Sequence, residues 1–323
     1  MNSPLYTWNH TGKPVKGQKI SDINYNVTQK SIFAVGKFSL TNSLKTILGM
    51  NIFDYDYVYS VANPYYNYYT NQPMSDSSVT SPYAAVIYDL NPENSLYLSY
   101  TTVYKVQSSQ DRYGNTLEPR EGANYELGLK SELLEGKVNT SAAVYYLKQD
   151  NLAVADTGYI VPGTTNTAAY RAVQGATTKG VDLELNGEVL PDWKINLSYN
   201  YNITDDSNGE RIKTTSPRNL AKLWTTYKLP NQWNKFTIGG GVNWQSKVYF
   251  STSPWQIGKT VLGVQEDYAT VDLMGRYDLN KDVSLSLNLN NVFDKKYMTL
   301  DDTFLTGYYG NPRNFLLSLK YKF

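Results

Sequence analysis

The stretch VSLSLNLNNVFDKKYMTLDDTFLTGYYGNPRNFLLSLKYKF, residues 283–323, contains two segments in which apolar and polar residues alternate. From Val283 to Asn290 every second residue is Val or Leu, and the residues between them are Ser or Asn. From Phe315 to Phe323 every second residue is Phe, Leu or Tyr. A period of two gives an extended strand one apolar and one polar face, whereas a helix needs a period near 3.6. The chain therefore closes on two amphipathic strands.

The same alternation recurs upstream, and the connections between the alternating segments fall into two length classes. Short connections rich in turn-forming residues lie at 41–43, 91–94, 134–136, 190–192, 230–231 and 280–282. Long connections lie at 57–78, 107–119, 151–169, 205–213, 250–267 and 294–312. Short turns on one side and long loops on the other are typical of an outer-membrane barrel, whose turns are periplasmic and whose loops are extracellular. The sequence thus predicts an all-β fold, an antiparallel transmembrane β-barrel portion of about 13 strands.

An odd number of strands has a consequence for the start of the chain, because bacterial single-chain barrels use even numbers. Residues 1–28 are polar and rich in turn-forming residues. We predict that they form an extracellular loop leading into the barrel, and that 29–323 is the carboxy-terminal part of that barrel. No apolar segment of a secretory signal follows Met1, so we expect the complete protein to have further strands and a signal sequence before it.

The composition favours membrane crossing by strands over crossing by helices. The chain is 41% hydrophobic with a mean hydropathy of −0.47, and no apolar run approaches the roughly 20 residues of a spanning helix. It contains 30 Tyr, 6 Trp and 9 Phe, and aromatic rings are enriched where a barrel wall meets the two membrane interfaces.

Charge and reactive residues exclude several other classes of function. The formal net charge of +1 leaves no electrostatic footprint for nucleic acid. The absence of Cys rules out disulfides and thiolate metal sites, and a single His, His10, argues against His-based catalysis and multi-histidine metal sites. We therefore expect neither an enzyme with catalytic residues, nor a protein-held metal, nor a nucleic-acid partner.

The end of the chain resembles a known family. NLNNVFDKKY (288–297) followed by YYGNPRNFLLSLKYKF (308–323) is similar to the carboxy-terminal signature of TonB-dependent outer-membrane receptors, within them the ferric-siderophore branch. Stretches 117–153, 170–189, 216–230 and 239–246 extend the resemblance over nearly the whole chain from about Ser31. The resemblance implies the carboxy-terminal portion of a barrel of about 22 strands in the bacterial outer membrane, among lipid and lipopolysaccharide.

The family's amino-terminal plug and TonB box have no counterpart in this sequence. The resemblance therefore implies a partnership with TonB–ExbB–ExbD only through a missing amino-terminal region. The function it implies is uptake of ferric siderophores, in which the iron is carried as a siderophore chelate and no cofactor is needed.

Aromatic and cationic residues in the long connections or at their bases are the candidate ligand contacts. Rings stack on or enclose flat ligands, and cations pair with an anionic siderophore. The candidates are Tyr65, Tyr66, Tyr68, Tyr69, Arg112, Arg171, Trp255, Tyr308 and Tyr309. The competing interpretation is that the rings anchor the barrel at the interface or pack within their loops, and that the cations form solvated ion pairs of little energetic consequence.

Two functions of other classes stay open at this point. A passive porin-like channel would show the same strand pattern, and a soluble Tyr-rich β-sandwich that binds glycans would show a similar composition.

Overall fold

The computed structural model describes residues 21–64, 68–164, 167–252, 259–301 and 306–322. The strands are β1 Asp22–Ser39, β2 Leu44–Asn63, β3 Tyr68–Asn91, β4 Asn94–Lys105, β5 Arg120–Leu133, β6 Val138–Asp150, β7 Leu152–Ile160, β8 Ala168–Val173, β9 Ala176–Leu190, β10 Trp193–Asp205, β11 Arg211–Ile212, β12 Asn219–Lys228, β13 Phe236–Gln245, β14 Val248–Thr252, β15 Val261–Gln265, β16 Tyr268–Asp278, β17 Val283–Asn290, β18 Met298–Asp301, β19 Thr306–Tyr309 and β20 Asn314–Tyr321. A short 3-10 turn spans Asn231–Trp233. In these ranges no helix has the length and apolarity needed to cross a membrane.

The chain divides into two compact units, one made of 1–30 and 54–78 and the other of 31–53 and 79–323. In the described part of the smaller unit, the ring centroid of Tyr25 lies 6.4 Å from that of Tyr57 and 5.1 Å from that of Tyr59. The Ser75 hydroxyl donates a 2.7 Å hydrogen bond to Asp56. This unit is thus ordered by ring contacts and polar contacts between its strands.

The larger unit is built on one antiparallel sheet, whose strands follow the order β1-β2-β3-β4-β5-β6-β9-β10-β12-β13-β16-β17-β20. The sheet has 14 strands, and setting aside β11, which pairs with β10 off this path, leaves 13 in line. The predicted count of about 13 strands is therefore confirmed. Strands that follow one another in the sequence are mostly neighbours in space, as expected for a chain of hairpins.

Side chains sort onto two faces of the sheet, because alternate residues of a strand point to opposite sides. Directly paired residues form a polar row across eight strands: Ser95, Lys130, Ser141, Glu184, Ser198, Lys222, Asn243 and Thr270. The next row along each strand is apolar: Leu96, Leu129, Ala142, Leu183, Tyr199, Ala221, Trp244 and Ala269. Side chains of the apolar face are largely exposed, with Leu98 at 55% and Leu319 at 70%. An apolar face of this extent suits contact with lipid, and the other face suits an aqueous interior.

The two closing strands pair as their alternation predicts. Leu285 lies opposite Leu319, and Leu287 lies opposite Leu317. Strand β17 ends at Asn290, short of the long connection predicted at 294–312, because the next residue, Asn291, adopts a left-handed conformation with φ of 50°. That conformation turns the chain out of the sheet.

The short connections form turns where they were predicted. Leu134 and Glu135 have φ of 52° and 58°, and Asp192 has φ of 64°. In the 41–43 turn the Thr41 hydroxyl accepts hydrogen bonds from the backbone N–H groups of Ser43 and Leu44, at 3.2 and 2.9 Å.

The long connections differ from the prediction, since three of the six fold into small hairpins. Strands β7 and β8 pair within or next to 151–169, β14 and β15 around 250–267, and β18 and β19 within 294–312. In the smaller unit β2 runs on to Asn63 and β3 begins at Tyr68, inside the range predicted as loop. Pairing satisfies backbone N–H and C=O groups, so long ordered connections tend to form their own ladders.

The first strand also begins earlier than predicted. Strand β1 starts at Asp22, inside the range 1–28 assigned to a loop. Ile23, Tyr25 and Val27 alternate with polar residues, and this short alternation was overlooked. That 1–28 is extracellular stays a prediction.

Candidate functional site

Several of the residues predicted from the sequence to contact the ligand belong to the smaller unit or lie outside the described residues. Tyr65, Tyr66 and Trp255 lie outside the described residues. Tyr68 is the first residue of β3, and Tyr69 follows it with a side chain that is 62% exposed. Tyr68 and Tyr69 are therefore strand residues and not loop residues.

The other candidates lie in the larger unit, on three separate elements. Arg112 lies in the connection before β5, and Arg171 lies exposed in β8. Tyr308 and Tyr309 lie in β19, and their side chains are 55% and 81% exposed. Strand β14 adjoins both β7 and β18, so the hairpins that carry these residues meet at the same end of the sheet.

Arg112 is engaged inside its own region, which we call the β7–β8 lobe: residues 106–119 with strands β7 and β8. Its Nη2 lies 2.6 Å and its Nε 2.7 Å from Oδ2 of Asp156. Its guanidinium lies 3.4 Å from the centroid of the Tyr159 ring. The hydrogen bond to Asp156 raises the pKa of Arg112 above its ordinary value, so the group stays charged. Arg112 thus fastens the 106–119 connection to β7.

A tight turn around Asp111 shapes the same connection. One carboxylate oxygen of Asp111 accepts hydrogen bonds from the backbone N–H groups of Tyr113 and Asn115, both at 2.8 Å. Burial raises the pKa of this carboxyl, but the hydrogen bonds from Asn115, Tyr113 and Gly114 outweigh it and hold the pKa below its usual value. The turn therefore keeps its charge and its shape at neutral pH.

A small apolar core holds the lobe together. Leu117, Ala153, Ala168 and Tyr170 form one buried cluster. The backbone N–H of Tyr170 also donates a 2.8 Å hydrogen bond to the carbonyl of Gln110. The connection and the hairpin are consequently one folded body on which Arg171 is presented.

The ion pair of Arg112 yields a first prediction. Asp156→Asn removes the negative charge of a carboxylate whose side chain is only 11% exposed, so the lobe should loosen and limited proteolysis should cut 106–119 several-fold faster. Glu266→Gln is the matched control, because the Lys247–Glu266 pair is exposed at 49% and 67% and such pairs contribute little. Equal cleavage rates for the two variants would contradict the assigned role.

An aromatic cavity lies on the polar face, beside the ends of β13, β16 and β17. Its volume is about 570 Å³, and its lining includes Tyr268, Tyr297, Lys222 and Asn243. The rings of Tyr268 and Tyr297 are stacked, with centroids 4.4 Å apart and planes 19° apart. The Asn243 amide donates a 3.2 Å hydrogen bond to Oδ2 of Asp272. Stacked rings with nearby polar groups are the usual lining of a small-molecule site.

A buried asparagine, Asn291, forms part of the lining of this cavity. The Asn291 side chain, 4% exposed, donates hydrogen bonds to the carbonyls of Lys295 and Asn311, both at 3.0 Å. The side chain also accepts a 2.8 Å hydrogen bond from the backbone N–H of Lys295. The backbone N–H of Asn291 donates a 2.7 Å hydrogen bond to Oδ1 of Asp272. Asn291 therefore ties together the two sides of the β17–β20 connection.

Tyr297 is held by a close approach of Gly310. The Gly310 N–H donates a 2.8 Å hydrogen bond to the Tyr297 carbonyl. A Cβ added at Gly310 would lie 2.1 Å from atoms of the Tyr297 ring, so any larger residue would push the ring from its place in the stack.

Sequence reasoning did not single out Tyr268 and Tyr297. Tyr297 ends the segment 288–297, which was used only to identify a family, and Tyr268 is the first residue of β16. The period-two pattern of β16 places Tyr268 on the same face as the polar Asp272, and that pattern would have pointed to it. The stack itself joins two distant segments and has no local signature.

A family model described as "TonB dependent receptor-like, beta-barrel" matches residues 3–292. The ferric-pyoverdine 358 receptor of Pseudomonas putida is 40% identical over 100% of this chain and 39% of its own length. The ferripyoverdine receptor of Pseudomonas aeruginosa is 35% identical over 97% of this chain and 37% of its own length. The chain thus spans less than two-fifths of the length of these curated relatives.

Solved structures agree in fold. The crystal structure of the ferripyoverdine receptor of the outer membrane of P. aeruginosa, bound to ferripyoverdine, superposes with a TM-score of 0.76 at 34% identity. It covers 93% of this chain, which corresponds to 39% of that receptor. The ferric-catecholate import receptor Fiu of E. coli, at 17% identity and a TM-score of 0.71, shares the fold.

Proposed function

The chain belongs to the TonB-dependent receptor-like β-barrel family of the outer membrane, and from this we propose that it forms part of a receptor for the uptake of ferric siderophores. The family consists of transport receptors and not enzymes. Its relatives at 35–40% identity carry the names of ferric-pyoverdine receptors, so ferric chelates of the pyoverdine type are the substrate class we propose.

The observation that carries this proposal is the aromatic cavity of Tyr268 and Tyr297. It lies on the polar face, which in a barrel faces the aqueous interior. Two of its lining residues, Tyr297 and Asn311, lie on either side of the segment that carries Tyr308 and Tyr309 in the sequence. Stacked rings suit the flat groups of a siderophore, and Lys222 suits its negative charge. The iron would be held by the chelate, so the protein needs no metal ligands of its own.

We include the exposed sequence-predicted residues of the larger unit, Arg171, Tyr308 and Tyr309, as proposed contacts at the entrance. Tyr69 of the smaller unit stays a proposed ligand contact by itself. Arg112 serves first as a positioning residue, because it pairs with Asp156. Energy from TonB is a general property of the family, and we propose that it reaches this barrel through an amino-terminal region like that of the longer relatives.

Uptake of radioactive iron tests the proposal. A Pseudomonas strain that lacks its receptors for a ferric pyoverdine, and that produces the full-length protein, should accumulate ⁵⁵Fe from that chelate. A protonophore should abolish the uptake, because energised transport needs the proton gradient. Accumulation that persists with the protonophore and rises linearly with concentration would instead indicate a passive channel.

A further inference from the structure

A second cavity of the larger unit has a different chemistry from the aromatic one. It encloses about 420 Å³ on the polar face, where β5, β6, β9 and β10 reach the β10–β12 connection. Two cationic side chains, Arg120 and Lys213, line it together with the hydroxyl groups of Thr178 and Thr204 and the amide of Gln149. Among the described residues that line it there is no carboxylate.

Arg120 has an unused donor in this cavity. Its Nε is buried and has no hydrogen-bond partner in the described part of the chain. The Nε of Arg218, a residue just before β12, is also buried and has no hydrogen-bond partner among the described residues. A buried donor without a partner is unfavourable, and folded proteins leave few of them. An acceptor from outside the described residues could satisfy such a donor.

Positive charges lie close together beside the cavity. Arg211 lies two residues before Lys213, and burial followed by the nearby charge of Arg218 lowers the pKa of Arg211. A cation surrounded by compensating carboxylates would show the opposite direction. The nearby carboxylate of Asp205 therefore does not offset the effects of burial and of Arg218 on Arg211.

The cavity is held in shape without a ligand. A carboxylate oxygen of Asp206 accepts hydrogen bonds from the N–H groups of Asn208 and Glu210, at 2.9 and 3.0 Å. Ile212, next to Lys213, is buried in a cluster with Leu152, Val173 and Ala176. Lys213 is consequently carried on a fixed connection and Arg120 on strand β5, and preorganised donors lose little entropy on binding.

Hydroxyl groups complete the lining. The hydroxyl oxygens of Thr178 and Thr204 lie 2.9 Å apart, so one hydroxyl donates to the other. The accepting hydroxyl keeps its own proton, and it can donate that proton to a bound oxygen atom.

We propose that this cavity is an oxyanion site, in which Arg120 forms a charge-assisted hydrogen bond to a carboxylate or phosphate group. If the proposed function is right, the oxyanion is a free carboxylate of the incoming ferric chelate; otherwise it is a small anion from solution. Either ligand brings the acceptor that the buried donor lacks.

The test uses the full-length protein in detergent and two sets of probes. Inorganic phosphate and succinate report on the cavity independently of siderophore binding, by raising the melting temperature. A ferric chelate with a pendant carboxylate and the same chelate with that group converted to an amide report on the source of the oxyanion. Arg120→Gln removes the cation, Arg120→Lys keeps the charge without the planar donors, and Lys130→Gln removes a cation from the other end of β5 on the same face.

We expect Arg120→Gln to bind phosphate and succinate about tenfold more weakly, Arg120→Lys to lie between, and Lys130→Gln to match the wild type. If the oxyanion is a carboxylate of the chelate, Arg120→Gln should also bind the chelate with the pendant carboxylate about tenfold more weakly. Its affinity for the amide form of the chelate should not change. If the simple anions alone respond, the site stands and its ligand comes from solution. If phosphate and succinate affect wild type and Arg120→Gln equally, the oxyanion site is wrong, whether or not any chelate binds. Failure of every chelate with a normal anion response would instead count against the proposed function.

Discussion

Asn291→Ala is expected to lower the free energy of unfolding by about 3 kcal/mol, the largest stability effect of any single residue discussed above. The side chain is buried at 4% exposure and makes three hydrogen bonds with the backbone of Lys295 and Asn311. Alanine would leave these groups without partners, and it would also strain a position where φ is 50°. Urea unfolding of the full-length protein in detergent, followed by tryptophan fluorescence, measures the loss.

Two control variants separate the causes. Asn291→Gly tolerates the left-handed conformation but loses the side-chain hydrogen bonds, so it should retain most of the loss. Asn280→Ala removes an asparagine at the other end of β17 whose Oδ1 accepts from Asp282 and Val283, at 2.8 and 2.9 Å, in an exposed turn. We expect that change to cost about 1 kcal/mol or less. A loss at Asn291 no larger than at Asn280 would refute the role assigned to the buried network.

Tyr268→Ala is expected to weaken binding of the ferric chelate about tenfold, or about 1.4 kcal/mol. The change removes one half of the stacked pair with Tyr297, whose ring centroids are 4.4 Å apart. Tyr268→Phe keeps the ring and should bind close to the wild type, since the contact depends on the aromatic face.

A second aromatic pair supplies the matched control. Tyr100 and Tyr125 have ring centroids 5.3 Å apart, and the period-two alternation of β4 and β5 places both on the apolar face. Tyr125→Ala should therefore leave chelate affinity unchanged. Equal losses in Tyr125→Ala and Tyr268→Ala would mean that ring removal acts through general stability and not through a ligand contact.

The sheet could be predicted from the sequence because its strands and turns are encoded by residues that lie close together in the chain. Alternation in β17 and β20 fixes which side chains share a face, and the register of Leu285 with Leu319 follows from that pattern. Turn-forming residues such as Leu190-Pro191-Asp192 marked the short connections where the chain reverses.

The candidate site was less accessible to sequence reasoning because it depends on contacts between distant segments. The ring of Tyr268, in β16, stacks on that of Tyr297, in the connection before β18. Arg112 pairs with Asp156, which lies 44 positions further along the chain. Small hairpins such as β18–β19 were predicted as loops, since four-residue strands are too short to show a period. Tyrosines in the long connections were easy to find, whereas the half-buried stack and the unpaired Nε of Arg120 could be found only in the structure.

The central claim is that the protein is part of a receptor for ferric siderophores, and measuring the binding of a ferric siderophore tests it most directly. The full-length protein in detergent is titrated with ferric pyoverdines, and its tryptophan fluorescence is followed. The account predicts saturable quenching by at least one ferric pyoverdine with a Kd below about 1 μM, and a tenfold weaker Kd in Tyr268→Ala. The account would be contradicted if no ferric pyoverdine quenched the fluorescence and if no hydroxamate, catecholate or mixed ferric chelate bound either.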